Sequence, residues 1–112
     1  MGAFSAAEVV LVHFPFSDLT QSKLRPAIVL ADAGKNDWLL CQITSQPYAD
    51  GRAIAISDGD LAQGSLRISS YARPGKLFTA HESLMAGRVG TLAAIKFDQV
   101  REAVIRLIRT GG

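Results

Sequence analysis

The stretch RPAIVLADAGKNDWLLCQITSQ, residues 25–46, decides the fold class. Two runs rich in aliphatic and β-branched residues, 25–31 and 38–46, flank the turn-forming sequence DAGKND. A pair of such runs around a cluster of Gly, Asn and Asp predicts a β-hairpin. Because Pro26 has no N–H to donate, we expect it at the start of its strand or on an edge.

Further strand-like runs occur on both sides of this hairpin. EVVLVHF, residues 8–14, precedes it, and RAIAI, residues 52–56, follows it. SLRISSYARPGKLFTA, residues 65–80, reads as two strand-like pieces on either side of Pro74-Gly75. The last segment, DQVREAVIRLIRT at 98–110, instead repeats its apolar residues at helical spacing before two glycines. Five to seven short strands and a closing amphipathic helix predict a small, mostly antiparallel barrel.

Three segments carry loop or turn signals. FPFSDLTQSKL, residues 14–24, reads as a polar loop of about ten residues, a length that is often functional. SDGDLAQG, residues 57–64, reads as a turn. HESLMAGRVGTL, residues 81–92, carries turn signals with a short helical turn at 82–85.

Length and composition indicate one globular domain spanning residues 1–112. The 112 residues are 48% hydrophobic, and the net charge of +2 with a pI near 9.0 permits a polyanionic partner without requiring one. The N-terminus has no basic segment before its apolar residues, so we expect no signal peptide, and no run is long enough to cross a membrane. The single cysteine, Cys41, excludes an internal disulfide and fits a reducing cytoplasm.

Most catalytic arrangements find no support in this sequence. There is no G-x-S-x-G elbow and no glycine-rich phosphate loop, and the carboxylates are too scattered to predict a metal site or a cofactor. Cys41 reads as a buried structural thiol on an apolar strand face. His13 at a strand end and His81 in a turn read first as structural or solvated residues, although their unperturbed pKa near neutrality makes each a possible general base.

The remaining candidates for a functional site are basic residues, hydroxyls and aromatic rings. Arginine presents a planar fork that suits phosphate, and a neighbouring hydroxyl can orient a phosphoryl oxygen. Aromatic rings beside basic residues suit single-stranded nucleic acid, because bases stack while phosphates pair. The residues concerned are Lys23, Arg25, Thr44, Ser45, Arg67, Arg73 and Lys76, with Phe14, Phe16 and Tyr48.

The order of these pieces resembles the PemK/MazF toxin family over roughly residues 8–109. The most specific pieces are Arg25-Pro26-Ala27 after a polar loop and Ile43-Thr44-Ser45 at a strand end. A third is KLFT, residues 76–79, running on to GRVG, residues 87–90. Each tripeptide alone is common, whereas their order and spacing together make the match specific.

The resemblance implies a small SH3-like barrel with a C-terminal helix, usually a homodimer. It implies a type II toxin, an endoribonuclease of the mRNA interferase kind, which cuts single-stranded RNA and is held inactive by a cognate antitoxin protein. Arg25 matches the family's catalytic arginine, and Thr44 matches its partner. Arg73 matches an arginine that several members use at the active site. From their charge, hydroxyl or aromatic ring, we also expect substrate binding or a secondary catalytic role for Ser45, Lys76, Arg67, Phe16 and Lys23.

The sequence departs from the family pattern at two places. Some members carry an acidic residue two positions after the arginine that matches Arg73, and here that position is Gly75. The loop before Arg25 is of the F-P-F-S-D type and lacks the glycine-rich form of other members. Two alternatives therefore stay open: a CcdB-like toxin that shares the barrel and binds DNA gyrase without cutting nucleic acid, and a nuclease-dead member that binds RNA or a protein partner.

Overall fold

A computed structural model describes residues 4–15, 22–47 and 49–112 and shows a mostly β chain that ends in one helix. The helix α1 spans Ala94–Thr110, and two short 3₁₀ turns span Asp58–Asp60 and Glu82–Leu84. The seven strands are β1 (Glu8–Pro15), β2 (Ser22–Gly34), β3 (Asp37–Thr44), β4 (Ile54–Ile56), β5 (Leu61–Gly64), β6 (Ser70–His81) and β7 (Met85–Leu92).

The strands form one antiparallel sheet in the order β4-β6-β3-β2-β1-β7-β5. β6 and β7 are separated in the chain only by Glu82–Leu84, yet they lie on opposite sides of the central β1-β2-β3 meander. β4 and β5 are likewise joined by a short link and form the two outer edges. Links this short reach across the sheet only when it curls, so the sheet is a half-barrel and the predicted barrel class is confirmed.

The predicted hairpin is confirmed as β2 and β3. Lys35 and Asn36 at its tip have φ of 55° and 64°, the pair of left-handed residues that a tight hairpin turn of the primed type requires. Pro26 pairs with Leu11 of β1 and lies one residue outside the β2–β3 ladder, which begins at the Ala27–Gln42 pair. Pro26 thus lies inside a central strand, so the prediction that it would be at a strand start or on an edge is wrong; its missing N–H is tolerated at a point where β2 has not yet paired with β3.

Side chains pack on both faces of the sheet, as the alternation along β3 predicts. Cys41 and Ile43 belong to one buried cluster, which the helix covers with Phe97 and Val100. Leu40 belongs to the other cluster, on the opposite face. The second cluster comprises Val10, Val12, Ala27, Val29, Trp38, Leu40 and Ala80, with Phe4, Phe14, Phe78 and Met85 packed against it.

Two segments predicted as turns contain strands, so those predictions are wrong. Residues 61–64 form β5 and residues 85–92 form β7, which pairs with both β1 and β5. Their glycines were the turn signal, but Gly64 and Gly90 serve a close contact between strands. A Cβ on Gly64 would lie 2.1 Å from the Val89 carbonyl oxygen, and one on Gly90 would lie 2.2 Å from that of Gln63.

Two further boundaries differ from the prediction. Residues 70–81 form one strand, β6, and not two pieces, because residues 73–76 bulge out where the pairing with β3 shifts between Cys41 and Ile43. The loop predicted at 14–24 is shorter, since β1 runs to Pro15 and β2 begins at Ser22. The stretch 16–21 between them lies outside the described residues.

The helix begins at Ala94, four residues before the predicted start. Phe97 is buried in the core, and the Lys96 ammonium donates to the Ala55 carbonyl oxygen at 3.2 Å and lies 3.7 Å from an Asp60 carboxylate oxygen. These tertiary contacts fix the first turn of the helix, and the spacing of apolar residues in the sequence does not reveal them. Gly111, with φ of 80°, ends the helix as predicted. In the described ranges, no helix is long and apolar enough to span a bilayer.

Candidate nucleic-acid interface

Four predicted site residues meet in one cleft of about 310 Å³. The cleft lies where β2 extends beyond the end of β3, and the segment between β5 and β6 closes its far side. The four residues are Lys23, Arg25, Thr44 and Ser45. Leu11, Leu24, Pro26, Ile43, Leu66, Ile68, Ser70 and Val89 form the remaining walls.

Strand register places Arg25 and Thr44 on the same face of the sheet. Arg25 pairs with Val12 of β1, and the Ala27–Gln42 register, continued by two residues, sets Arg25 opposite Thr44. Thr44 in turn pairs with Tyr71 of β6. Directly opposed residues of antiparallel strands share a face. The guanidinium and the hydroxyl, far apart in sequence, therefore belong to one row of side chains.

The two central residues are partly withdrawn from water. Arg25 is half-buried, and Thr44 is only 6% exposed. Thr44 Oγ1 accepts the Gln46 backbone N–H at 3.1 Å, which fixes the hydroxyl at the point where β3 ends. Because that bond uses an oxygen lone pair, the hydroxyl proton is still available for donation to a ligand oxygen. Ser45 is exposed at the rim.

Arg73 lies outside the cleft and forms an ion pair with Asp50. Arg73 Nε is 2.9 Å from Asp50 Oδ2, and both side chains are largely buried. Asp50 Oδ1 accepts the Arg52 N–H at 2.9 Å. The hydrogen bond from Arg52, followed by that from Arg73, lowers the pKa of the Asp50 carboxyl below its ordinary value. The sequence ADGR signals a turn at Asp50, but nothing in it indicates Arg73 as the partner.

The structure does not bring the other basic residues into the cleft. Lys76 is exposed in the bulge of β6, one residue after Gly75, where a Cβ would lie 3.7 Å from Leu107 of the helix. Arg67 lines a separate small cavity with Asp58. The basic residues 67, 73 and 76, close in sequence, thus lie in three different settings.

The two histidines also occupy different settings. His81 caps the 3₁₀ turn that follows it, with Nδ1 accepting the Ser83 N–H at 3.1 Å. His13 is exposed on β1, pairs with the cleft residue Leu24, and lines an apolar groove with Phe14 and Phe78. Of the two, His13 is therefore nearer to the cleft.

Several predictions concern the aromatic residues and the cysteine. Phe16 and Tyr48 lie outside the described residues. Phe14 packs edge-to-face against Phe78, with ring centroids 4.6 Å apart. Cys41 is fully buried, as predicted, and burial raises the pKa of its thiol to about 12.

In residues 4–15, 22–47 and 49–112, no three His, Cys, Asp or Glu side chains are grouped as metal ligands.

Sequence reasoning missed the apolar part of the cleft. Leu66 and Ile68 line it from the segment between β5 and β6, and Ile68 is 64% exposed. An isolated apolar residue in a polar segment is the available signal, but it does not say which strands the segment faces. Only the curl of the sheet brings it against β2.

Comparisons with known proteins agree with the fold. The family model described as PemK-like, MazF-like toxin of type II toxin-antitoxin system matches residues 5–108. No curated protein matches the chain.

Similar solved structures share the fold at low sequence identity. A MazE-MazF complex (Form-II) from Deinococcus radiodurans has a TM-score of 0.78 at 18% identity, over 97% of this chain and 98% of that one. An endoribonuclease in complex with its cognate antitoxin from a mycobacterial species has a TM-score of 0.75 at 10% identity, over 96% of both. The Mycobacterium tuberculosis toxin MazF-mt6 has a TM-score of 0.70 at 16% identity, over 91% and 96%.

Proposed function

Since this chain belongs to the PemK-like, MazF-like toxin family of type II toxin–antitoxin systems, we propose that it is an endoribonuclease that cuts single-stranded RNA. The observation that carries the proposal is the meeting of Lys23, Arg25, Thr44 and Ser45 in one cleft. Two cations and two hydroxyls at one place suit a phosphate diester. The RNAs that are cut in this way would include messenger RNA, so cleavage would inhibit translation and the growth of the cell.

The proposed reaction uses a nucleophile that the RNA supplies. The 2′-hydroxyl loses its proton to a general base, its oxygen attacks the adjacent phosphorus, and the bond to the 5′-oxygen of the next nucleotide breaks. The leaving 5′-oxygen takes up a proton from the protonated base or from water, so the products are a 2′,3′-cyclic phosphate and a 5′-hydroxyl. Because the nucleophile is intramolecular and cations on the protein can balance the developing charge, we propose that cleavage is metal-independent.

Each residue of the cleft takes a role that its chemistry allows. Arg25 stabilises the extra negative charge on the phosphoryl oxygens in the transition state, where one preorganised donor is worth about 3–4 kcal/mol. Thr44, held by the Gln46 N–H, donates its proton to a phosphoryl oxygen and orients the group. Lys23 and Ser45 hold the neighbouring backbone. The general base stays open between His13 and His81, and the position of His13 beside Leu24 favours it.

We propose two protein partners. The first is a second copy of this chain, which would cover the apolar groove of His13, Phe14 and Phe78 and the exposed Leu84. Light scattering should give twice the 12.0 kDa mass of one chain, and a mass of one chain would contradict the dimer.

The second partner is a cognate antitoxin whose acidic segment folds over the basic cleft. Its binding should weaken with salt and compete with RNA. We place both complexes in the cytoplasm.

The proposed activity is tested by incubating the purified protein with a long single-stranded RNA in EDTA. We expect cleavage with cyclic-phosphate and 5′-hydroxyl ends, both readable from end-specific ligation and labelling. Intact RNA under these conditions, and again after addition of Mg²⁺, would contradict the proposal. A gyrase-binding toxin or a nuclease-dead binder would then become the better description.

A further inference from the structure

The segment between β5 and β6, residues 65–69, is held by the carboxylate of Asp58. The Ser65 hydroxyl lies 3.1 and 3.2 Å from the two Asp58 carboxylate oxygens and donates to that carboxylate, and the Leu66 N–H donates to Oδ1 at 3.1 Å. Ser65 Oγ also accepts the Arg67 N–H at 3.2 Å. One exposed carboxylate thus organises three successive residues. We call residues 65–69 the clamped loop.

The other end of the clamped loop is fixed as well. The Ile68 N–H donates to the Leu66 carbonyl oxygen at 2.7 Å, and the Ser70 hydroxyl donates to the Ile68 carbonyl oxygen at 2.9 Å. Arg67, between them, has a φ of 66°, which a residue with a Cβ rarely adopts. A loop held at both ends around a left-handed residue is preorganised and does not depend on a ligand for its shape.

This geometry separates the side chains of the clamped loop. Leu66 and Ile68 line the cleft with Arg25, whereas Arg67 lines the separate cavity beside Asp58, which Ile68 also borders. Leu66 packs against the buried core, and Ile68 stays 64% exposed. The loop therefore presents one large, exposed apolar side chain at a fixed position beside the basic residues of the cleft.

The cleft itself has an apolar side and a charged side. Along β2, Lys23 and Arg25 alternate with Leu24 and Pro26, so the cations lie on the sheet face of Val12 and the apolar residues lie on the other. Leu11, which pairs with Pro26, and Ile43 join the apolar side. The volume of about 310 Å³ is at the small end of ligand sites, the size of one small planar group and not of a folded segment.

We propose that the apolar side of this cleft seats one base of the RNA, with Ile68 against its face, while the flanking phosphate binds Arg25. The clamped loop is then a specificity element, and Asp58 is a positioning residue that never touches RNA. This inference rests on the proposed function. A nucleotide joins a flat, weakly hydrated ring to an anion within one residue, which matches the juxtaposition of apolar and basic walls here.

The first test compares cut sites in a randomised RNA pool, read by sequencing the 5′-hydroxyl ends. Ile68→Ala should reduce discrimination at one nucleotide position by about tenfold and leave the other positions unchanged. Ile68→Leu should retain most of the discrimination. Ile108→Ala is the matched control, because Ile108 is 70% exposed on α1 and does not line the cleft.

Asp58→Ala tests the clamp. It should broaden the same position as Ile68→Ala, because the Ser65 hydroxyl and the Leu66 N–H lose their acceptor. Asp58→Asn, which keeps an acceptor oxygen, should broaden it less. The double variant with Ile68→Ala should be no broader than Ile68→Ala alone, since both act on the same contact. Broadening at a different position, or additive effects, would contradict the positioning role.

A second test separates this inference from the proposed nuclease activity. Binding of 2′-O-methyl pentanucleotides, in which the nucleophile is blocked, is measured for the wild-type protein, Ile68→Ala and Ile108→Ala. We expect weaker binding for Ile68→Ala only, and this outcome supports the base site even if the protein cuts no RNA. Equal binding by all three proteins, or an unchanged cut profile for Ile68→Ala in a protein that does cut, would overturn the inference. If Ile68→Ala bound the oligonucleotides normally but lost binding to an acidic peptide, the inference would also be overturned, because the loop would then contact protein and not RNA.

Discussion

Arg73 is joined to Asp50, 23 residues earlier in the chain, through a 2.9 Å contact between Nε and Oδ2. Two positions after this arginine the chain has Gly75, which offers no carboxylate. Asp50 thus supplies a carboxylate to Arg73 from the loop after β3. The pair fixes the arginine side chain and the loop to each other, at a site that does not line the cleft.

Replacing Arg25 should remove most of the proposed activity. We expect Arg25→Ala to lower kcat/KM for RNA cleavage by about 100-fold or more, because the transition state loses a preorganised cation. Arg25→Lys should lose most activity too, since an ammonium cannot reproduce the bidentate fork. Arg109→Ala, on the exposed last turn of α1, is the control. Circular dichroism should show an intact fold, and wild-type rates for Arg25→Ala would contradict the assignment.

Thr44 should matter less than Arg25. Thr44→Ala removes one neutral hydrogen bond of about 0.5–1.5 kcal/mol to the phosphoryl oxygen, so kcat should fall by about 3- to 10-fold. The same change frees the Gln46 N–H, so its effect on stability is measured separately by urea denaturation. Thr44→Ser keeps the hydroxyl and should retain activity. A loss for Thr44→Ser as large as that for Thr44→Ala would argue against a role of the hydroxyl.

Arg73 should act in binding more than in chemistry. Because it lies outside the cleft and is paired with Asp50, Arg73→Ala should raise KM more than it lowers kcat. Asp50→Asn should shift KM in the same direction by a smaller factor, since the arginine remains but is less well held. Steady-state kinetics on a short RNA provide both numbers. A fall in kcat at unchanged KM would instead place Arg73 at the reacting phosphate.

The Asp50–Arg73 pair should make stability depend on pH in the acid range. The Arg52 N–H first, and then Arg73, lower the folded-state pKa of the Asp50 carboxyl below its ordinary value, so these contacts stabilise the fold above about pH 4 and cease to do so as the pH falls through the folded-state value. The free energy of unfolding of Asp50→Asn should be lower by about 1 kcal/mol at pH 7. That difference should vanish towards pH 2. A difference that grows on acidification would have the wrong sign.

The glycines where β5 pairs with β7 should not tolerate any side chain. Gly64→Ala and Gly90→Ala would each drive a Cβ to about 2 Å from a backbone oxygen, and each should cost about 1–3 kcal/mol or more of folding free energy. Gly87→Ala is the matched control, because Gly87 lies in β7 like Gly90 and nothing lies within 4 Å of its added Cβ. Urea denaturation of the three variants measures this, and equal midpoints would contradict the close contact.

Local patterns predicted the centre of the sheet. The hairpin around Lys35 and Asn36 follows from two β-branched runs and a turn, and alternation along β3 placed Cys41 and Gln42 on opposite faces. These features depend on neighbours in sequence, where propensity and periodicity act. The two residues at the heart of the proposed site, Arg25 and Thr44, lie on these two strands, although the family resemblance, and not the strand pattern, predicted them as partners.

The outer strands could not be predicted in the same way. β7 contains Gly87 and Gly90, and the sequence around them favours a turn unless β1 and β5 are already in place. The partners of Arg73 and Ser65 are carboxylates at Asp50 and Asp58, which come near only once β6 has paired with β3 and β4 and the chain has turned back around β5. Contacts of this kind depend on tertiary packing and leave no trace in local composition.

The strand order also governs when the site first exists during synthesis. The meander β1-β2-β3 is complete once residue 44 has emerged, but the cleft needs Leu66, Ile68 and Val89 to close. Because translation proceeds from the N-terminus, the strands that carry Arg25 and Thr44 are synthesised well before the residues that wall the cleft. A ribosome making this protein would therefore have translated most of its message before the chain it carries could complete the cleft.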